Sequence, residues 1–236
     1  MEEDKKQLFS QISKKGSLKL DIYDLTFNLF QQMKEEVKKM VDEYQDFVKN
    51  SKESHQVPFS YQDKGDLEFE VKFGGDILLF FMHSNIFEIP RNHEVMSTRY
   101  VKQDKDRSYC GMIHIYNFLA DSLKYNREND AGYLIGRLLV NKESHYFIEG
   151  KKEIGMIYNN FEQSVLDINA LQNIITSAIE YTVNFDLLIP PYENVSLISV
   201  SNLQSAIQGS HLSTGKRVGF KFQADKKELK AWHKNS

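Results

Sequence analysis

The stretch AGYLIGRLLVNKESHYFIEGKKEIGMIY, from Ala131 to Tyr158, decides the fold. Tyr133 to Val140 is apolar on both faces except at Arg137, Asn141 to Ser144 supplies a polar turn, and His145 to Glu149 returns. Gly150-Lys151 turns again and Glu153 to Tyr158 returns once more. Strands joined by such short turns pair antiparallel, since a parallel neighbour needs a crossover of a dozen or more residues. The spacing predicts the centre of an antiparallel meander.

Further strands lie to either side of it. Leu67, Phe69, Val71 and Phe73 alternate with Glu68, Glu70 and Lys72, one face to the core and one to water. Gly74-Gly75 supplies the positive φ of a tight hairpin. Ile77 to Met82 is apolar at every position and reads as a strand covered on both faces, continuing to Pro90 with a bulge near Ser84-Asn85. Lys49 to Lys64 reads as a polar connector, Met96 to Val101 as an edge strand, and Met112 to Leu119 as a further strand. Asp121 to Asp130 reads as a loop or a single helical turn. Short strands are expected at Val195 to Val200 and Val218 to Phe222, with a helical turn at Ser201 to Ile207.

Two long helices flank these strands. Glu2 to Ser13 reads as a short helix interrupted at Gly16, with Ser17 capping the first long one. Ile22, Leu25, Leu29, Met33, Val37, Met40, Tyr44 and Phe47 recur at steps of three or four, while Lys34, Glu35, Lys38, Asp42, Glu43 and Lys49 form a solvated face. The stripe packs on the sheet, or else its Lys/Glu-rich half projects and pairs with a second copy as a coiled coil. Phe161 to Phe185 is the second long helix, ended by Pro190-Pro191. The fold class is therefore α+β, an antiparallel meander sheet packed by two long helices. It divides into a helical extension (1–50), an α+β domain (57–223) and a polar basic tail (224–236). In architecture alone, this order is similar to small-molecule sensor modules such as GAF and PAS domains.

The totals, 41% hydrophobic and a net charge of −3 over 236 residues, are those of a globular chain with no overall attraction to nucleic acid or acidic membrane. A lone Cys110 excludes an intramolecular disulfide and a thiolate metal cluster. MEEDKKQLF is not a secretory leader, and the apolar run Ile77 to Met82 is too short to span a bilayer, which points to the cytoplasm.

The chemistry-bearing residues are scattered. Neither phosphate-loop glycine pattern nor G-x-S-x-G occurs, and no two histidines stand four apart as in a zincin. Asp66 with Glu70-Val71-Lys72 has the composition of an acidic-x-Lys nuclease element, but equally of any exposed strand face. Arg137 in an apolar strand needs a carboxylate or an anionic ligand, because an unpaired buried charge is costly. His83, His114 and His145 lie on expected strands and form a ligand-binding, metal or acid–base site only where those strands bring them together, with Glu149 as a further member. Lys216, Arg217 and Lys221 belong to a basic C-terminal end that would contact phosphates. The expectation is a non-catalytic ligand- or partner-binding protein without cofactor, dimerising through the long N-terminal helix. A nucleic-acid-associated protein and a metal-dependent hydrolase or nuclease are the alternatives.

Overall fold

A computed structural model describes residues 2–52, 55–127, 130–150 and 160–187, together with 189, 191–197, 199–201 and 204. Its first element, α1 (Glu2–Asn50), is a single helix of 49 residues. No interruption occurs at Gly16. A helical glycine costs about 1 kcal/mol relative to alanine, whereas breaking the helix would require a second costly nucleation. From Ile22 onward α1 buries Leu29, Met33 and Val37, as the periodicity predicts, and Phe30 besides, whereas Phe47, expected in the same stripe, is 68% exposed.

Lys34 departs from that pattern. It was expected on the solvated face and is instead 3% exposed. Its ammonium donates to Asp63 Oδ1 at 3.0 Å and to the Gly65 carbonyl at 2.7 Å. Asp63 also accepts the Gly65 amide, and this bond, followed by the Lys34 ammonium, holds its carboxyl down at about 2.

The strands are β1 (Phe59–Gly65), β2 (Glu68–Phe73), β3 (Asp76–Met82), β4 (Phe87–Glu88), β5 (Tyr109–Leu119), β6 (Tyr133–Asn141) and β7 (Tyr146–Gly150). They pair antiparallel throughout in the order β1-β2-β3-β5-β6-β7, with β4 beside the first residues of β5. The expected continuation of β3 is β4, separated from it by Ser84-Asn85. The connector expected before Lys64 is in fact β1, where Phe59 and Tyr61 turn toward the core.

Other expectations are corrected by local capping. Met96 to Val101 is a 3₁₀ turn (Glu94–Ser97) followed by α2 (Arg99–Gln103), because His93 and then Thr98 accept amides as successive N-caps. Asp104 caps a further 3₁₀ turn, Lys105–Ser108. After β5 comes α3 (Ala120–Lys124). The second long helix, α4 (Ile168–Val183), begins where Asp167 Oδ1 accepts the Ala170 amide at 2.8 Å, not at Phe161. In place of the strand expected from Val195 there is α5 (Tyr192–Val195), a short helix. Glu153 to Tyr158, Val218 to Phe222 and the tail 224–236 lie outside the described residues, as do Lys216, Arg217 and Lys221.

Helices α1 and α4 pack together on one face of the sheet, over Phe69, Val71, Leu78, Phe80, Ile113, Ile115, Leu138, Val140 and Ile148. On the opposite face, a smaller core of Ile89, Val95, Tyr100, Val101, Cys110, Leu139, Phe147 and Phe161 covers one end. Among the described residues, no helix is long and apolar enough to cross a membrane.

The approach of α1 to β5 is set at Gly111. A Cβ there would lie 2.1 Å from Thr26 Oγ1 and 2.8 Å from Thr26 Cβ and Cγ2. Gly111→Ala is therefore expected to destabilise the fold by about 1–3 kcal/mol, the usual cost of overpacking. Thr26→Ala in the same chain removes the two displaced methyl and hydroxyl atoms and is expected to recover part of that loss. Urea unfolding of both single variants and the double variant measures the coupling; strict additivity would show that the two residues do not touch.

Candidate functional site

The placement of Arg137 follows from an extra residue in β6. Regular alternation from Tyr133, which faces the helices, would turn Arg137 into the same core. The register, however, passes from Ile115↔Gly136 to Tyr116↔Leu134, so Ile135 is an insertion in the ladder. That bulge flips the remainder of the strand. Leu138 and Val140 enter the core under α1 and α4, and Arg137 stands on the other face beside His114 and Glu149, its two cross-strand partners.

There Arg137 is paired. Its Nε donates to Glu149 Oε2 at 2.7 Å, its Nη2 reaches the same oxygen, and its side chain is 41% exposed. His93 Nε2 approaches the other carboxylate oxygen at 3.3 Å, while its Nδ1 accepts the Val95 amide. His93 thus carries its neutral-state proton on Nε2 and donates it to Glu149. Of the two partners weighed for Arg137, the structure supplies the glutamate. His93 has no signature in the sequence, because its contribution depends on an unforeseen 3₁₀ cap.

Three of the four residues expected to bind a ligand share the uncovered part of this face. His83 follows β3, which runs beside β5; its amide donates to the Met112 carbonyl at 2.8 Å, and its Nδ1 accepts the Asn85 amide at 3.0 Å. Its ring meets Phe87 edge-on at 4.8 Å and Phe81 at 6.4 Å. His114 meets Tyr116 at 5.5 Å, and Tyr116 meets Phe118 at 6.4 Å. Leu79, Phe81, His83, His114, Tyr116 and Phe118 are all half-buried, so β3 is fully covered only on its helix side. Burial, and then the positive charge of Arg137 and of His83, lowers the His114 pKa below its ordinary value.

His145 does not join them. It precedes β7, donates from Nδ1 to the Phe161 carbonyl at 2.9 Å and stacks on Tyr100 at 4.5 Å. The Arg107 guanidinium also lies over the Tyr100 ring, 4.2 Å from its centroid. The Tyr100 hydroxyl donates to Glu143 and accepts from Asn141, which ties α2 to the β6–β7 turn. Burial and the Glu143 hydrogen bond push this phenol well above its usual range. Cys110 is fully buried in the smaller core, and burial likewise pushes its thiol up, away from the reactive thiolate.

The acidic-x-Lys element does not assemble. Glu70 pairs with Lys64 at 3.3 Å, and the Asp66 carbonyl, in the β1–β2 turn, accepts from Gln31. Among the described residues, no group of three or more His, Cys, Asp or Glu side chains is placed to hold a metal ion. A cleft of about 700 Å³ lies at the far end of the sheet between Lys72, Asp76, Lys124 and the end of α4. A second, of about 550 Å³, lies between Tyr23 and Phe27 of α1 and Leu67 and Phe81.

The His114 environment has a consequence for pH. Its ordinary value is 6.5, and the folded value is lower. As pH falls through about 6.5 the unfolded chain takes up a proton that folded His114 resists, so stability declines with acidification over that window. His114→Gln is expected to flatten this portion of the slope between pH 7 and pH 5, compared by urea midpoints of the two proteins. An unaltered slope would mean that the ring titrates as in water. Comparison with protein-family models, with curated proteins and with solved structures finds no match for this chain.

Proposed function

We propose that this chain is a non-catalytic binding protein whose recognition surface is the sheet face opposite α1 and α4. The observation that carries the reading is the common placement of His83, His114 and Arg137 among half-buried Phe81, Tyr116 and Phe118. Because Glu149 neutralises Arg137, the surface has no excess positive charge that demands an anion. Its chemistry suits a flat apolar or aromatic group lying on the rings, with a hydrogen-bonding atom toward the imidazoles. A binding role is favoured over an enzymatic one because the reactive candidates are committed elsewhere: Arg137 to Glu149, His145 to Phe161 and Tyr100, and Cys110 to the core.

The test is an NMR titration of the full chain with small heteroaromatic fragments. Binding is expected to move the imidazole signals of His83 and His114 and the ring signals of Tyr116 while leaving His145 in place. Tyr116→Ala is expected to weaken that binding about tenfold, the scale of losing one aromatic contact. Fragments that bind but shift His145 or α1 instead, or that bind Tyr116→Ala equally well, would overturn the assignment.

A further inference from the structure

The first two-fifths of α1 presents a different problem, one independent of the sheet face. Residues 2–17, 19 and 20 are all exposed. Leu8, Phe9, Ile12 and Leu20 are 51%, 63%, 61% and 65% exposed. Helices in proteins owe most of their stability to packing of an apolar face, and unpacked helices of this length are marginal in water. Phe9, Ile12, Gly16, Leu20, Tyr23 and Phe27 follow one another at steps of three or four, so they form one stripe. It is distinct from the buried stripe of Ile22, Leu29, Met33 and Val37 and runs into the cleft beside Tyr23 and Phe27. The half with an uncovered apolar stripe is thus the N-terminal one, not the Lys/Glu-rich half; its contact with the fold is on the other side, where Lys15 lies over the Tyr109 ring at 5.4 Å.

We infer that this stripe is covered by the same stripe of a second copy, laid antiparallel. In that orientation Leu8 and Phe9 of each copy meet Leu20 of the other, and Ile12 meets Gly16. Gly16 has nothing within 4 Å, so it offers Ile12 of the second copy a close seat. The flanking charges decide the direction. Lys6, Ser13, Ser17 and Asp24 line one border of the stripe, and all are exposed. Antiparallel pairing sets Lys6 of one copy against Asp24 of the other and serine against serine. Parallel pairing turns this border away from its counterpart, so that Lys6 and Asp24 no longer meet, and sets glycine on glycine, with a void at the centre. Among the described residues of its own chain, Lys6 makes a 4.0 Å approach to Glu2, with both side chains exposed. A single helix pair buries less than the roughly 1,200 Å² of a standard interface, so the association is of the weak, reversible class.

Sedimentation velocity of the full chain over a range of concentrations tests this. A monomer–dimer equilibrium is expected, with Ile12→Asp raising the dissociation constant at least about tenfold while the urea midpoint of the sheet stays unchanged. Lys6→Glu and Asp24→Lys are each expected to weaken the dimer several-fold at low salt, and the double variant to restore it, because it rebuilds the opposite-charge pair. A chain that is monomeric at every concentration, or a dimer indifferent to Ile12→Asp, overturns the interface. Failure of the double variant to recover overturns the antiparallel direction. Binding of the monomer to anionic phospholipid vesicles, lost in Ile12→Asp, would assign the stripe to a membrane surface instead.

Discussion

The docking of α1 across the sheet is the constraint on which the remaining structure depends. At one point the helix approaches so closely that β5 must offer a bare backbone, and Gly111 meets Thr26 without a side chain between them. About two turns further on, the helix is held by Lys34, whose buried ammonium is received by Asp63 and the Gly65 carbonyl. Gly65 adopts φ of 128°, a conformation that suits glycine, and it places both its amide and its carbonyl toward this pair. A buried cation is tolerated when its donors are met at good geometry. The helix is thereby joined to β1 at the sheet edge as well as to β5 near the centre, and α4 completes the layer beside it.

This one-sided layering divides the molecule chemically. Beneath the helices the side chains are aliphatic and phenyl groups at near-complete burial, which confer stability but leave nothing to recognise. On the opposite face the covering segment reaches only one end of the sheet. The rest retains rings, two imidazoles and a neutralised ion pair at partial exposure. Full burial and partial exposure are therefore assigned to different faces of the same strands, residue by residue.

Much of the fold was legible because it rests on local periodicity. The stripe of α1, the Gly74-Gly75 hairpin and the meander around Asn141 to Ser144 all follow from spacing and turn chemistry. The failures share a cause, since each depended on a contact distant in sequence. Lys34 looks like a solvated lysine until Asp63 is brought against it, and β1 looks like a linker until Phe59 and Tyr61 find the core. Gly16 looks like a stop but lies within a helix that was already propagating. For the site, the neighbourhood of His83, His114 and Arg137 was named but not their common face, because neither strand order nor the Ile135 bulge can be read from composition. His145 was grouped with them on the same grounds and belongs instead to the cage around Tyr100.

The bulge at Ile135 also bears on how this chain tolerates change. Most positions of β6 should accept exchange of one aliphatic residue for another, as well-packed cores do when volume is kept. Its length is another matter. Ile135 is the one residue of slack: without it, alternation from Tyr133 would still carry Gly136, Leu138 and Val140 to the helix layer and keep Arg137 opposite Glu149. A residue removed or added between Arg137 and Val140, beyond the bulge, would instead turn the positions after it to the wrong face. From Gly136 onward the spacing is under tighter constraint than the identities, and related sequences should vary in their letters here while keeping the count.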